Sequence, residues 1–191
     1  MFRSPIEMKL LRCVGDSNTW GYDPRSYGGS RYAPEVRWTG RLPGWEVVND
    51  GVNGREIPAA WECRDMLCRS TGSFDAVLVM LGTNDLLQGS TAVQAGERME
   101  AFLRALLGAE TARVLLVAPP PFQYGDWVTG DSQIAESKTL GAVYRALAEE
   151  LCIPFADAGA WDIALCFDGV HFTPEGHAAF AEGLLPVLAK L

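Results

Sequence analysis

Residues 74–81 read FDAVLVML. The run is apolar almost throughout and does not alternate with polar residues, the pattern of a strand covered on both faces. Strands of that kind belong to parallel sheets, where helices shield each side. Working outward, KLLRCV (9–14) is a similar short run that ends at Gly15, and WEVVND (45–50) ends at Gly51. RVLLVA (113–118) is stopped by Pro119, Pro120 and Pro121, and CIPFAD (152–157) is a weaker fifth.

Helical patterns lie between these runs. Pro58 suits the first turn of a helix running to about Ser70. Met99, Phe102, Leu103, Leu106 and Leu107 share one helical face, with Gly108 as the expected C-cap. Leu140, Val143, Leu147 and Leu151 mark another face. The last helix has Thr173 as N-cap, Pro174 at its first position and Glu175 in its first turn. Strand and helix alternate, which predicts a parallel sheet with helices on both sides. The stretch 22–44 is long for a connection and carries Tyr22, Tyr27, Tyr32 and Trp38, as a functional loop would.

The chain has 191 residues, enough for one well-filled core, and the expectation is a single domain over 1–191. Hydrophobic residues make up 48% and charged residues 21%, as in ordinary globular proteins. Net charge is −8 and no cluster of Lys or Arg stands out, which argues against a nucleic-acid partner. Five cysteines without a CxxC pair read as reduced, mostly buried thiols. The first residues lack an apolar signal-peptide core, and no apolar run reaches the roughly 18 residues of a membrane span. The expectation is a cytoplasmic protein with no membrane partner.

Three turns follow the first three strands: GDSNTWG (15–21), GVNGRE (51–56) and GTND (82–85). Loops at the carboxyl ends of neighbouring parallel strands converge on one crevice. DGVH (168–171) adds an Asp and a His three residues apart, just before the last helix. These residues supply a nucleophile, a base, a carboxylate that orients the base, and donors for an oxyanion. A serine attacks only when a base takes its proton, and imidazole titrates near neutral pH. An Asp holds the imidazole in the correct tautomer, while N–H groups and an Asn amide bind the oxyanion.

GDS, the glycine turn, GTND and DGVH resemble the four blocks of the SGNH (GDSL-type) serine hydrolases, in order and over almost the whole chain. RYAPEVRWTGRL (31–42) and LGTND (81–85) resemble the arylesterase and acyltransferase branch. The resemblance implies Ser17 as nucleophile, His171 as base and Asp168 as its orienting carboxylate. It implies the Ser17 N–H, the Gly54 N–H and the Asn84 side chain as oxyanion donors. Gly54, rather than Gly51, stands where the family's glycine turn sits.

Several of these residues have plainer readings. A second GDS, Gly130–Asp131–Ser132, follows no strand and precedes a helix, so Asp131 or Ser132 reads as an N-cap. His177 falls at the fourth helical position with Phe172 just before the cap, the hydrophobic-staple arrangement, and reads as packed and hydrogen-bonded. His171 and His177 straddle a helix start and share no face, so the set with Asp168 does not fit a metal. Asn84 and Asp85 could serve only to close a turn. Trp20, Trp38, Phe122, Trp161 and Phe172, with Tyr124 and Trp127, are expected to form an apolar acyl or aryl pocket.

The reading is a flavodoxin-like three-layer α/β/α domain with a five-stranded parallel sheet. It is a serine esterase for short-chain acyl or aryl esters, with acyl transfer to alcohols and no cofactor. The rivals are a carbohydrate O-acetylesterase, a thioesterase or lysophospholipase on the same fold, and a catalytically inactive binding module. The resemblance also implies assembly into homo-oligomers, for which no interface is readable in the sequence.

Overall fold

The computed structural model describes residues 8–26, 28–63, 73–109 and 112–191. Five strands form the sheet: β1 (Lys9–Gly15), β2 (Trp45–Gly51), β3 (Ala76–Met80), β4 (Arg113–Ala118) and β5 (Phe155–Asp157). All neighbouring pairs are parallel and the order is β2-β1-β3-β4-β5. This is the flavodoxin-like order expected of an α/β/α domain, and its reversal beside β1 opens a crevice at the strands' carboxyl ends. Five helices have both ends among the described residues: α1 (Ser17–Trp20), α2 (Thr83–Leu87), α3 (Ala92–Ala109), α4 (Asp131–Glu150) and α5 (Pro174–Leu188). Among the described residues no helix is long and apolar enough to cross a membrane.

The unbroken apolar strands are explained by two cores, one on each face of the sheet. Val77, Val79, Val114 and Leu116 pack against Met99, Phe102, Leu103 and Leu106 of α3 and Leu140 and Leu147 of α4. The alternate residues Leu78, Met80, Leu115 and Val117 pack on the other face against Phe180, Leu184 and Leu188 of α5. Each such side chain contributes roughly 1.5–3 kcal/mol when fully buried.

Local signals set most element ends. The Thr173 side chain accepts the Gly176 N–H at 3.0 Å, and Pro174 opens α5. Three expectations need correction. α3 continues through Gly108 to Ala109, and Leu107 is 36% exposed rather than on the buried face. α4 is capped by Gly130, whose N–H is accepted by the Gln133 side chain, so Asp131 and Ser132 lie inside its first turn. The helix expected from Pro58 begins at Ala60, because the Glu62 carboxylate accepts the Ala59 N–H and starts it there. Its later part, 64–70, lies outside the described residues, as does Tyr27.

Candidate active site

β1 ends at Gly15 and the chain turns directly into α1, so Ser17 stands at the carboxyl edge of a central strand. Asp16 caps α1 by accepting the Asn18 N–H at 2.9 Å. Burial pushes the Asp16 carboxyl above its ordinary range, while that N–H pulls the other way.

His171 comes from the loop before α5. Its Nε2 is 2.9 Å from Ser17 Oγ and its Nδ1 is 2.7 Å from Asp168 Oδ2. The three side chains are enclosed, with exposures of 5% for Ser17, 1% for Asp168 and 2% for His171. The other Asp168 oxygen accepts the N–H groups of Val170 and His171, both at 2.9 Å. Burial works to raise the Asp168 pKa, but the His171 imidazole and these N–H groups outweigh it and hold the carboxyl below its usual range. Asp168 is therefore an anion that orients Nδ1 as a donor, which turns the Nε2 lone pair toward Ser17 Oγ.

The glycine turn and GTND meet beside this row. Asn84 Nδ2 donates to the Arg55 carbonyl at 3.0 Å, and Asp85 Oδ2 accepts the Ile57 N–H at 3.0 Å. One hydrogen of the Asn84 amide has no partner among the described residues. Gly54 has φ +73°, a left-handed conformation that suits glycine. Neither the Gly54 N–H nor the Ser17 N–H has a hydrogen-bond partner among the described residues.

Two further features complete the site; Asn18 and Tyr22 were not among the expected site residues, whereas Trp127 was expected as pocket lining. Asn18 donates to the Val170 carbonyl at 3.1 Å and accepts the Phe172 N–H at 3.0 Å, gripping the backbone on both sides of His171. The imidazole also contacts two aromatic rings: Tyr22 at 4.7 Å and Trp127, edge-on, at 4.9 Å. Trp127 is 51% exposed. Its segment is docked by backbone bonds, with Gln123 N–H to Gly169 O at 3.0 Å and Trp127 N–H to Asp168 O at 3.1 Å. Only glycine fits at position 125, where a Cβ would lie 2.4 Å from backbone atoms of Asp168 and Gly169. The long 22–44 stretch and the cluster of loop aromatics hinted at Tyr22 and Trp127, but nothing local singled them out.

The expected aromatic pocket is corrected in most of its members. Trp38 and Phe172 are fully buried and Phe122 nearly so. Trp38 packs on Phe180 and donates through Nε1 to the Asn18 carbonyl, which makes it a brace beneath α1. Trp161 packs edge-on against Phe180 of α5. Trp20 is half-buried, with its ring under the Arg31 guanidinium. His177 is packed, as read: it is fully buried, 5.4 Å from the Phe172 ring, and its Nδ1 accepts the Trp38 N–H at 3.4 Å.

A search against protein families matches residues 13–179 to the GDSL-like lipase/acylhydrolase family. A comparison with curated proteins found no match. Among solved structures, the aryl esterase of M. smegmatis is 28% identical, with a TM-score of 0.86 over 96% of this chain and 99% of that one. Est24, a carbohydrate acetylesterase from Sinorhizobium meliloti, is 25% identical, with a TM-score of 0.84 over 95% and 99%. A carbohydrate acetylesterase family member from the same organism is 29% identical, with a TM-score of 0.84 over 96% and 98%. The chain belongs to the GDSL-like lipase/acylhydrolase family and is a carboxylic ester hydrolase of the SGNH fold.

Proposed function

We propose that the protein hydrolyses short-chain acyl and aryl esters through an acyl-Ser17 intermediate, and that alcohols compete with water for the acyl group. The observation that carries this reading is the buried row of Ser17, His171 and Asp168, with contacts of 2.9 and 2.7 Å. Ser17 Oγ attacks the ester carbonyl carbon as its proton passes to His171 Nε2. The carbonyl oxygen becomes an oxyanion held by the Ser17 and Gly54 N–H groups and the Asn84 amide. Collapse breaks the bond to the leaving alcohol or phenol, which takes the proton from His171. Water, or a second alcohol, then gives a proton to His171 and attacks the acyl-serine. The second tetrahedral intermediate collapses, His171 returns that proton to Ser17 Oγ, and the acid or the new ester leaves.

Tyr22 and Trp127 support an apolar or aromatic leaving group, since they flank the imidazole that must protonate it. The names of the two Sinorhizobium meliloti neighbours favour a second reading, removal of acetyl groups from sugars. We place this activity in a single domain over 1–191 and in the cytoplasm, where thiols stay reduced.

A fluorophosphonate probe tests the chemistry. Wild-type protein is expected to label at Ser17, Ser17→Ala to lose both labelling and p-nitrophenyl acetate hydrolysis, and Ser132→Ala to keep both. An unlabelled wild-type protein would leave the inactive binding module as the reading. A higher kcat/KM on an acetylated sugar than on phenyl acetate would favour the second substrate class.

A further inference from the structure

A cleft of about 350 Å³ lies between edge strand β2 and the loop before it. Arg31, Arg37, Thr39 and Asn49 line it, no carboxylate does, and neither Ser17 nor His171 reaches it. The Arg37 stem rests on Gly21, where a Cβ would lie 2.4 Å from Arg37 Cδ. Its Nε is closed off from solvent and has no hydrogen-bond partner among the described residues. Among the described residues, no carboxylate forms an ion pair with Arg37 or Arg31. Glu35 exerts only a longer-range field on Arg37.

Arg31 is held beside it. Its Nε donates to the Trp20 carbonyl at 2.6 Å, its guanidinium lies 5.0 Å from the Trp20 ring centre, and its terminal nitrogens have no hydrogen-bond partner among the described residues. Burial and the charge of Arg37 both make the Arg31 proton easier to lose. Asn49 Nδ2 donates to Thr39 Oγ1 at 3.0 Å, so the Thr39 hydroxyl keeps its hydrogen for another acceptor.

The two neighbouring guanidiniums repel each other, and a chain with 24 acidic residues has carboxylates to spare. Their absence from this cleft leaves the charge for something from outside. We propose that the cleft between Arg31 and Arg37 binds a small phosphate-bearing molecule at a site separate from Ser17. A phosphate monoester carries a charge of roughly −1.5 to −2 and three strong acceptor oxygens. It thereby answers both guanidiniums and the Thr39 hydroxyl, whereas a carboxylate brings one charge and two oxygens. The volume exceeds that of the phosphate group alone and falls at the small end of ligand sites.

The test is calorimetric titration of the full chain with inorganic phosphate, with ionic strength held constant by sodium chloride. One phosphate is expected to bind per chain, with Arg37→Gln and Arg31→Gln each weakening it roughly tenfold or more, and acetate binding weaker by a similar factor. Arg31 is exposed, so Arg31→Gln carries the test if Arg37→Gln fails to fold. The proposal is overturned by a titration without saturable heat, by undiminished binding to folded Arg31→Gln, or by acetate binding as tightly as phosphate.

Discussion

Asn18 shows how much one side chain decides at the scale of the residue. It lies next to the proposed nucleophile, yet its two hydrogen bonds go to the loop that carries His171. A small misplacement of a base is expensive in rate. Asn18→Leu is expected to lower kcat by roughly 10²-fold while KM changes by less than about threefold, measured with p-nitrophenyl acetate. A loss confined to KM would assign Asn18 to substrate binding instead. His177 makes a different prediction. Burial, with help from Arg41, Arg37 and His171, lowers its pKa from 6.5 to about 3. Below about pH 6.5 the unfolded chain takes up a proton that the folded chain refuses. Stability from this residue is therefore complete above pH 6.5 and declines as pH falls toward 3, by up to about 1.4 kcal/mol per pH unit. Urea unfolding at pH 7 and pH 5 checks this: His177→Asn, less stable overall, should lose less between the two pH values than wild type.

At the scale of the element, the glycine turn and α2 behave as one unit. Asn84 and Asp85, adjacent at the start of α2, hold the carbonyl of Arg55 and the N–H of Ile57. Arg98 of α3 approaches Asp85 Oδ1 at 3.1 Å as an ion pair outside hydrogen-bond alignment. Burial raises the Asp85 pKa, against the Ile57 N–H and Arg98, which favour its anion. Asn84 thus positions the turn, and in the proposed mechanism its other amide hydrogen meets the oxyanion. Asn84→Ala is expected to lower kcat by about 10²–10³-fold, the usual cost of one oxyanion donor. Asn84→Asp keeps the shape but puts a negative charge beside a negative intermediate, and should be at least as poor. Steady-state kinetics with aryl acetates separate these outcomes from a simple loss of affinity.

For the whole molecule, the relevant fact is that the candidate catalytic groups sit just past the carboxyl ends of β1, β2 and β3 or in the loop before α5. Two closely packed cores hold those ends still. The imidazole has Tyr22 and the half-exposed Trp127 beside it, which in the proposed function form a short apolar mouth. Activity on p-nitrophenyl esters is expected to fall as the acyl chain lengthens beyond a few carbons. Vinyl acetate with benzyl alcohol in buffer should yield benzyl acetate beside acetate, because an apolar mouth enriches the alcohol over water. Gas chromatography measures both products. Preference for long acyl chains would sink the short-mouth reading, and acetate without benzyl acetate would leave a hydrolase alone.

Much of this was legible in the sequence. Apolar runs such as 74–81 marked parallel strands because a strand covered on both faces has no polar side to show. Thr173 and Pro174 marked the start of α5 because capping depends on residues only a few positions apart. The motif residues could be placed at strand ends for the same reason, and the packed role of His177 followed from its helical position. The aromatic residues were not legible in this way. Trp38 is core because it meets Phe180, far along the chain, and Trp127 reaches His171 only because its backbone docks on the 167–169 loop. A Trp has the same local signature in either setting, and the choice lies with the partner that the fold brings to it. The grip of Asn18 on the His171 loop is of that kind too, spanning 154 positions to Phe172. Tertiary structure alone decides such contacts, because they join segments that have no local reason to meet.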